Sequence, residues 1–551
     1  MSNCSFDRNI RKVLLINPFK IKEQTETIYA YQRDFHGIPP MGIGYISSYI
    51  KKFLPDIEIE VYDAYTLGYK ISLEMKEVST KYLWDILRDK LSQFKPDMVG
   101  IQMISHVVAE AGHKTAAVVK ESDPGIVIIS GGLYPHTSYN EVLKDPNIDL
   151  VGFSEGEAVV TDLIRSINAK TDLKTVKGIA YRDNGGHIVK TAAREPINLD
   201  TAPDCDRSNF DLRFDTRYGR STPHRFIDAE KDLWVIVGNS RGCPGVCTFC
   251  CGRNLFANGG FRQRNPALMV DEMQRLQDRY GATTFIFNED CISADRSGLV
   301  KLAQEIRRRM PGIKWHVLEG IPIGMLDDET VNVLYESGHK WFKLPCESGS
   351  NETLRKVRKN HSVEDVYPVI SSIRKFADAW VCIFLITGFP FEPEENIEKN
   401  IEYARKLAPD WVYIFPFTPY PGSVLYRECV DAGYVRDFIF TPEDGPRTDL
   451  RLRSPGYEYI DEKSAEADII LNYFENRNIK LRPRMAIRDF EYMLSIKTDN
   501  VPAMYGLGAA YRELKNRQKS EMWFAKAAET LETVEPHFKE YFRKAGIDLR
   551  K

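Results

Sequence analysis

The 551-residue sequence predicts an α/β protein with a helical tail, and three observations carry that prediction. Two long stretches alternate short β-branched runs with helical patterns, an irregular connector separates them, and the last part of the chain turns polar and helical. In the first stretch, residues 1–168, the runs 12–17, 57–62, 98–102, 125–130 and 148–153 read as five short buried strands. The segments between them are long enough for crossover helices, which predicts a parallel sheet covered on both faces.

Residues 169–232 read as a linker. Within it, 178–189 is a hairpin signal with Asn184-Gly185-Gly186 at the turn, while Pro196 and Pro203 among charges mark irregular chain. The second alternating stretch, 233–430, offers strands at 233–238, 284–288, 313–317, 340–344, 379–386 and 411–415. Six such units are too few for a closed eight-fold barrel. In the tail, 431–551, Met504, Leu507, Gly508 and Tyr511, then Phe524 and Ala527, match the tetratricopeptide (TPR) spacing. Ala486 and Phe490 fall in register with Ser520 and Phe524, 34 residues on. That predicts one and a half to two degenerate repeats acting as a structural cap or pocket wall.

Hydrophobic content of 43% and charged content of 28% are ordinary for a soluble globular chain, and a net charge of −3 argues against nucleic acid as a partner. No apolar run has the length of a membrane span, and the first residues lack a signal-peptide core. Ten cysteines, three of them in one tight group, suit a reducing cytoplasm. The expectation is a cytoplasmic monomer.

The chemistry centres on Cys243, Cys247 and Cys250, a C-x3-C-x2-C spacing that lets one loop present three thiolates to one inorganic centre. A structural zinc site would need a fourth ligand, and Cys251, joined to Cys250 by a peptide bond, is poorly placed to supply it. A 4Fe–4S cluster held by three cysteines keeps one iron open, and thiolates are its usual ligands. The surrounding residues favour the cluster.

With Phe249 just before the last cysteine, the motif resembles the signature of the radical S-adenosylmethionine (SAM) superfamily. The lead-in Asn239-Ser240-Arg241-Gly242-Cys243-Pro244 is similar to that of the branch that also carries an N-terminal cobalamin-binding domain. The resemblance implies a Rossmann-like cobalamin-binding domain followed by a partial (βα)6 radical SAM barrel. It also implies three cofactors: a 4Fe–4S cluster, SAM and cobalamin. SAM contacts are implied at Phe249, at the paired acids Glu289 and Asp290, at Glu347 and Ser348 in an E-S-G-S segment, and at Gly388 in a G-x-P-x-E turn. Residues 417–423 resemble the closing segment of such barrels.

Cobalamin contacts are implied at the carboxyl ends of the first set of strands. The candidates are Asn17, Pro40, Gly42, Ser105, His106, Gly131, Gly132, Pro135, His136, Glu155, Gly156 and Glu157. The D-x-H-x-x-G sequence of proteins that coordinate cobalt from below is absent, so the lower axial position is expected to be empty, water-filled or blocked by a side chain.

The implied activity is methylation of an unactivated carbon or phosphorus, through methylcobalamin and a 5′-deoxyadenosyl radical. The substrate would be a small molecule or peptide, and the reductant a flavodoxin or ferredoxin. A non-methylating cobalamin-dependent oxidoreductase or cyclase shares the same motifs. From a different class, a cofactor-bearing TPR interaction protein would use the tail as its working surface. No general base is identified, and Tyr413, Tyr420 and His316 are positional candidates only. Cys291, Cys346 and Cys382 read as small core residues.

Overall fold

In the computed structural model of the protein, residues 6, 8–20, 27–28, 37–75, 78–219, 228, 230–252, 260–435, 438–441, 445–448, 456–533 and 536–549 are described. The first strands are β1 Lys12–Asn17, β2 Glu58–Asp63, β3 Met98–Gln102, β4 Val127–Gly131 and β5 Leu150–Gly152. They lie parallel in the order β2-β1-β3-β4-β5. In the inner strands both faces are buried, because their residues meet an apolar layer on each side, whereas edge strand β2 is only partly covered. Val13 and Leu15 pack towards helices α1 Met41–Phe53 and the later Gly156–Asn168. Leu14 and Ile16 pack towards α2 Thr80–Phe94 and α3 Ala109–Ser122. Numbered in chain order, Gly156–Asn168 is α4. This two-sided burial is why the strands read as continuous apolar runs rather than alternating ones.

The expected hairpin forms as β6 Ile179–Arg182 and β7 Ile188–Lys190. Its turn is held by Asp183, whose Oδ1 accepts from the N–H groups of Gly185 and His187, each at 2.9 Å. It does not lie in a free linker, however. β6 pairs antiparallel with β5, and the pair completes a seven-stranded sheet. The physical reason is the bare edge that three-residue β5 would otherwise leave. Turn chemistry announces a hairpin but not the sheet it joins.

The second unit has strands β8 Trp234–Val237, β11 Thr284–Phe287, β12 Lys314–Val317, β13 Trp341–Glu347, β14 Trp380–Thr387 and β15 Trp411–Pro416. Between β8 and β11 lies the short antiparallel pair β9 Ser240–Arg241 and β10 Arg262–Gln263. Val235, Phe285, Trp315, Phe342, Val381 and Val412 point outwards onto a shell of helices. These are α5 Pro266–Tyr280, α6 Arg296–Arg309, α7 Asp328–Glu336, α8 Val366–Ile373 and α9 Glu395–Leu407. The six strands form two three-stranded parallel sheets, β8-β11-β12 and β13-β14-β15. Where these sheets meet, the Ile321 N–H from the loop after β12 donates to Lys343 O of β13 at 3.0 Å. Gly320 allows that loop to turn in, with φ of +95° and a would-be Cβ only 2.9 Å from the same carbonyl.

The tail comprises α10 Tyr457–Ile469, α11 Pro483–Ile496, α12 Val501–Glu513, α13 Arg517–Leu531 and α14 Pro536–Lys544, with a π-helical turn Ile470–Phe474 after α10. Its TPR-like glycines make close helix packing possible. A Cβ on Gly506 would lie 2.5 Å from the Phe490 ring, and one on Gly508 would lie 2.7 Å from Phe524. The tail is built into the barrel. Phe490, Leu507 and Tyr511 bury against Trp341, Trp380 and Trp411 on the inner face of the second sheet. Asn472 acts as a substitute strand for edge strand β15: its side chain accepts from Val412 N–H and donates to Val412 O, both at 2.7 Å. An otherwise open barrel edge is thereby satisfied.

Candidate active site

The β9–β10 pair, with Ser240 opposite Gln263 and Arg241 opposite Arg262, closes the neck of the loop that carries the cysteines. The loop backbone is stitched down from two sides. Thr248 N–H donates to Val357 O at 3.1 Å, and Leu425 N–H donates to Thr248 O at 3.0 Å. Gly245 N–H donates to Cys243 Sγ and Gly252 N–H to Cys250 Sγ, each at 3.3 Å. Amide-to-sulfur bonds of this kind favour thiolates and suit a cluster. Between two of the sulfurs the chain is bare: a Cβ on Gly245 would stand 3.2 Å from Cys243 Sγ and 3.8 Å from Cys247 Sγ. Among the described residues no three His, Cys, Asp or Glu side chains converge on a single-ion site. The loop offers three thiol donors, two of them with an amide N–H already directed at the sulfur, and thiolates are the usual ligands of iron–sulfur clusters. The residues therefore fit a 4Fe–4S cluster.

Burial raises the Cys247 thiol, whereas a hydrogen bond from Cys291 outweighs burial and lowers Cys243. Iron loading thus displaces protons from this loop. Cys291 is buried, as expected of a core filler, but it lies against the first cluster cysteine as well as Ser293 O, at 3.0 Å. Phe249 anchors the loop from below, its ring 5.8 Å from Phe389 in an apolar group with Val357, Phe417 and Leu425.

The two expected acids after β11 have different fates. Glu289 faces inwards, accepting from Asn239 N–H at 2.5 Å and from the Ser240 hydroxyl. It latches the end of β8 to the cysteine loop, with both its oxygens engaged there. Asp290 faces the mouth, its Oδ1 3.5 Å from where a Cβ on Gly252 would lie, beside Cys250. Desolvation first, and then the nearby Glu319 carboxylate, raise Asp290 to about 6. Glu319, which sequence reasoning missed, gives this mouth a second acid.

Burial lifts Glu289 from 4.5 to about 8, with the Ser240 and Asn239 hydrogen bonds working against it. A carboxyl raised in the fold is disfavoured in its ionised form. The resulting penalty is absent below 4.5, grows as pH rises towards 8, and is complete above it. Glu289→Gln, neutral throughout, is expected to show a flatter stability profile than the parent in thermal unfolding from pH 5 to 9. Parallel profiles would remove this account.

Glu347 sits at the end of β13 with a left-handed φ of +61°, a backbone strain of the kind that collects at functional sites. Its Oε1 accepts from the Lys359 ammonium at 3.1 Å. Lys359 also interacts with Cys247 and follows closely on Val357, the residue stitched to Thr248. This buried pair, which no motif pointed to, brings a fixed cation to the cysteines. Ser348, by contrast, is fully buried and donates to Asn400 Oδ1 at 3.2 Å. Gly388, with φ of +84°, lies against Ile460 of α10, and its N–H donates to Glu392 at 3.1 Å.

The positional catalytic candidates divide in the same way. His316 is sealed in the barrel beside Trp341, at a ring distance of 5.6 Å, and burial holds it neutral. It is not placed to touch a substrate. Tyr413 faces the lumen with Phe384 and Phe415, and Tyr420 is exposed on the closing loop.

At the strand ends of the first domain, Asn17 donates to Asp63 Oδ1 at 2.8 Å, and Pro40 precedes α1. A Cβ on Gly42 would meet Gln102 at 3.3 Å, whereas one on Gly131 would meet nothing within 4 Å. Gly132 is obligatory, with φ of +120° and a would-be Cβ 2.3 Å from Met103 O. Ser105 precedes the short turn of His106, whose Nε2 engages Ser138 Oγ at 3.2 Å; burial lowers His106 to about 4. Pro135 is buried, and His136 accepts from Ser154 N–H at 3.4 Å. The open space at Gly131 beside the pinned Gly132 fits a flat ligand laid across the sheet end. Gly156 packs against Ile46. Glu155 and Glu157 do not face that space, because Arg241 takes both of them, at 2.8 and 2.5 Å. They bridge the first domain to the neck of the cysteine loop.

The two sets of strand ends meet. A Cβ on Gly422, in the loop after β15, would lie 3.1 Å from Thr137 of the first domain and 3.7 Å from Cys251 of the cysteine loop.

Residues 240–404 match the Radical SAM superfamily model. The chain is 26% identical over 463 residues to cytidylyl-2-hydroxyethylphosphonate methyltransferase of Streptomyces wedmorensis, covering 78% of this chain and 83% of that one. It is also 26% identical over 405 residues to anaerobic magnesium-protoporphyrin IX monomethyl ester cyclase of Rubrivivax gelatinosus, covering 73% and 68%. Among solved structures, the radical SAM methyltransferase TsrM of Kitasatospora setae, with cobalamin and a [4Fe-4S] cluster bound, superposes with a TM-score of 0.59 at 16% identity. That match covers 82% of this chain and 81% of that one. The cobalamin-dependent SAM radical enzyme OxsB superposes with 0.63 at 14% identity, over 98% and 80%. The chain thus carries a radical SAM domain and is similar along most of its length to radical SAM methyltransferases. Its fold, from the first sheet to the helical tail, is that of these two cobalamin-binding enzymes.

Proposed function

We propose that this chain methylates an unactivated carbon or phosphorus of a small molecule, using SAM, a 4Fe–4S cluster and cobalamin. One observation carries the reading: the ligand-binding strand ends of the first domain and the cysteine loop of the barrel converge at Gly422, Thr137 and Cys251. When bound, the cluster supplies an electron for SAM cleavage and cobalamin carries a methyl group; the protein supplies placement and the exclusion of water. Cys243, Cys247 and Cys250 would hold the iron. Asp290 and Glu319 give the mouth the negative charge that suits the cationic SAM, and Lys359 offers a cation for its carboxylate. Asn17, Ser105, Gly131 and Gly132 would line the corrin edge, with His106 turned away towards Ser138.

Trp341 and Phe384 flank the Lys343 ammonium at 4.4 and 5.8 Å, and that ammonium donates to Leu318 O at 2.8 Å, so this part of the barrel is filled by its own side chains. A flavodoxin or ferredoxin as reductant and a monomeric state complete the proposal. The similarity to the cyclase keeps one alternative in view, and the product distinguishes them. Anaerobic reconstitution with iron, sulfide and hydroxocobalamin should give about four irons per chain together with stoichiometric cobalt. Incubation with candidate acceptors should then yield a product heavier by one methyl group. Iron without cobalt would overturn the methyl-transfer reading.

A further inference from the structure

We propose that Glu155, Glu157 and Arg241 form the joint that positions the cluster loop against the cobalamin domain. In this role the E-G-E segment acts on the cysteines instead of on the corrin. The inference rests on the two-cofactor reading above only for its consequence; the joint itself is in the structure.

The neck of the cysteine loop consists of Arg241 and Arg262, opposite each other in the β9–β10 pair. Both guanidinium groups end on the same carboxylate oxygen. Glu155 Oε1 accepts from Arg241 at 2.8 Å and from Arg262 at 2.6 Å. Glu155 Oε2 accepts from Ile197 N–H at 2.8 Å, and Arg262 donates onward to Ile197 O at 2.8 Å. The other arm of Arg241 donates to Glu157 Oε1 at 2.5 Å. Both carboxylates are buried, at 7% and 5% exposure, so this is a desolvated network rather than a surface ion pair. Two carboxylates meet two guanidiniums, and Arg241 is covered by the Tyr45 ring at 5.4 Å. The network is neutral and already satisfied.

Each end of the joint is stiff. The acids open α4, which buries Val159, Val160 and Leu163 against the first sheet. Arg241 is two residues from Cys243, and the intervening Gly242 has φ of +81° with a would-be Cβ 2.5 Å from Gly260 O. There is no slack between the first domain and the first cluster ligand. Glu155, Glu157, Arg241 and Arg262 are therefore positioning residues, acting through the loop.

The test uses the full-length chain and the variants Glu155→Gln, Glu157→Gln and Arg241→Lys. Hydrogen exchange of residues 240–263 before reconstitution reads the joint without either cofactor, and protection there should fall at least tenfold while the core of the first sheet is unchanged. After reconstitution, iron and cobalt content should match the parent, and the distance distribution between the reduced cluster and Co(II), read by pulsed electron paramagnetic resonance, should broaden or shift. Variants with parental exchange and an unchanged distance would overturn the proposal. So would a tenfold loss of cobalamin affinity with the loop still protected, since the acids would then be corrin contacts. If the parent takes up iron but no cobalt, the two-cofactor reading fails, while the exchange result still decides the joint.

Discussion

Replacing Cys243, Cys247 or Cys250 by alanine is expected to drop the reconstituted iron from about four per chain to a background level and to abolish production of 5′-deoxyadenosine from SAM. Cys251→Ala is expected to keep both. The contrast follows from the loop. Gly245 and Gly252 direct their N–H groups to Cys243 and Cys250, and the bare Gly245 lies between Cys243 and Cys247, whereas Cys251 packs towards Gly422. Cys250 is exposed, so its alanine variant should shift folding stability by only about 0.5 kcal/mol or less. Iron analysis, cluster absorbance and SAM turnover, alongside a melting curve, separate a lost ligand from a lost fold. Retention of four irons in Cys250→Ala would show that the ligand set is wrong.

Phe490→Ala is expected to cost about 3–5 kcal/mol. Phe490 is fully buried, stacks on Tyr473 at 5.7 Å, and belongs to the cluster that joins α11 and α12 to Trp341, Trp380 and Trp411. The site cannot collapse readily, because Gly506 already lets α12 approach within van der Waals contact of the ring. Denaturant unfolding should report the loss, and the tail and barrel should unfold as one unit in the parent. A cost below about 1 kcal/mol, or a tail that melts separately without effect on the barrel, would contradict its place in the barrel core. The TPR-like spacing is legible because helix pairs need small residues at fixed intervals. Its use here is to fill and edge a barrel, which spacing alone does not reveal.

Much of the site was legible for similar local reasons. Three cysteines within one loop must be near one another whatever the fold, and Gly132 and Gly242 sit where only glycine tolerates the backbone. The acids were not separable. Glu289 and Asp290 are adjacent in sequence, yet one is drawn inwards by the N–H and hydroxyl of Asn239 and Ser240 and the other is left at the mouth. Lys359 carried no signal, since a lysine after a short helix is ordinarily a solvated one, and only the return of its segment to Thr248 brings it to the cysteines. Glu155 and Glu157 gave no sign of Arg241, which lies far along the chain and meets them only in the fold.

By itself the sequence determined the succession of strands and helices, the ligand loop and the glycines at forced turns. All of these depend on period, spacing and local sterics within a few residues. Only the tertiary structure decided that the hairpin joins the first sheet, that Asn472 closes the barrel edge, and that the E-G-E acids grip Arg241 across 84 and 86 residues of chain. A buried charge must find an opposite charge, and an open edge must find a partner. Which one each finds depends on the surfaces that packing brings together, and no local pattern records that.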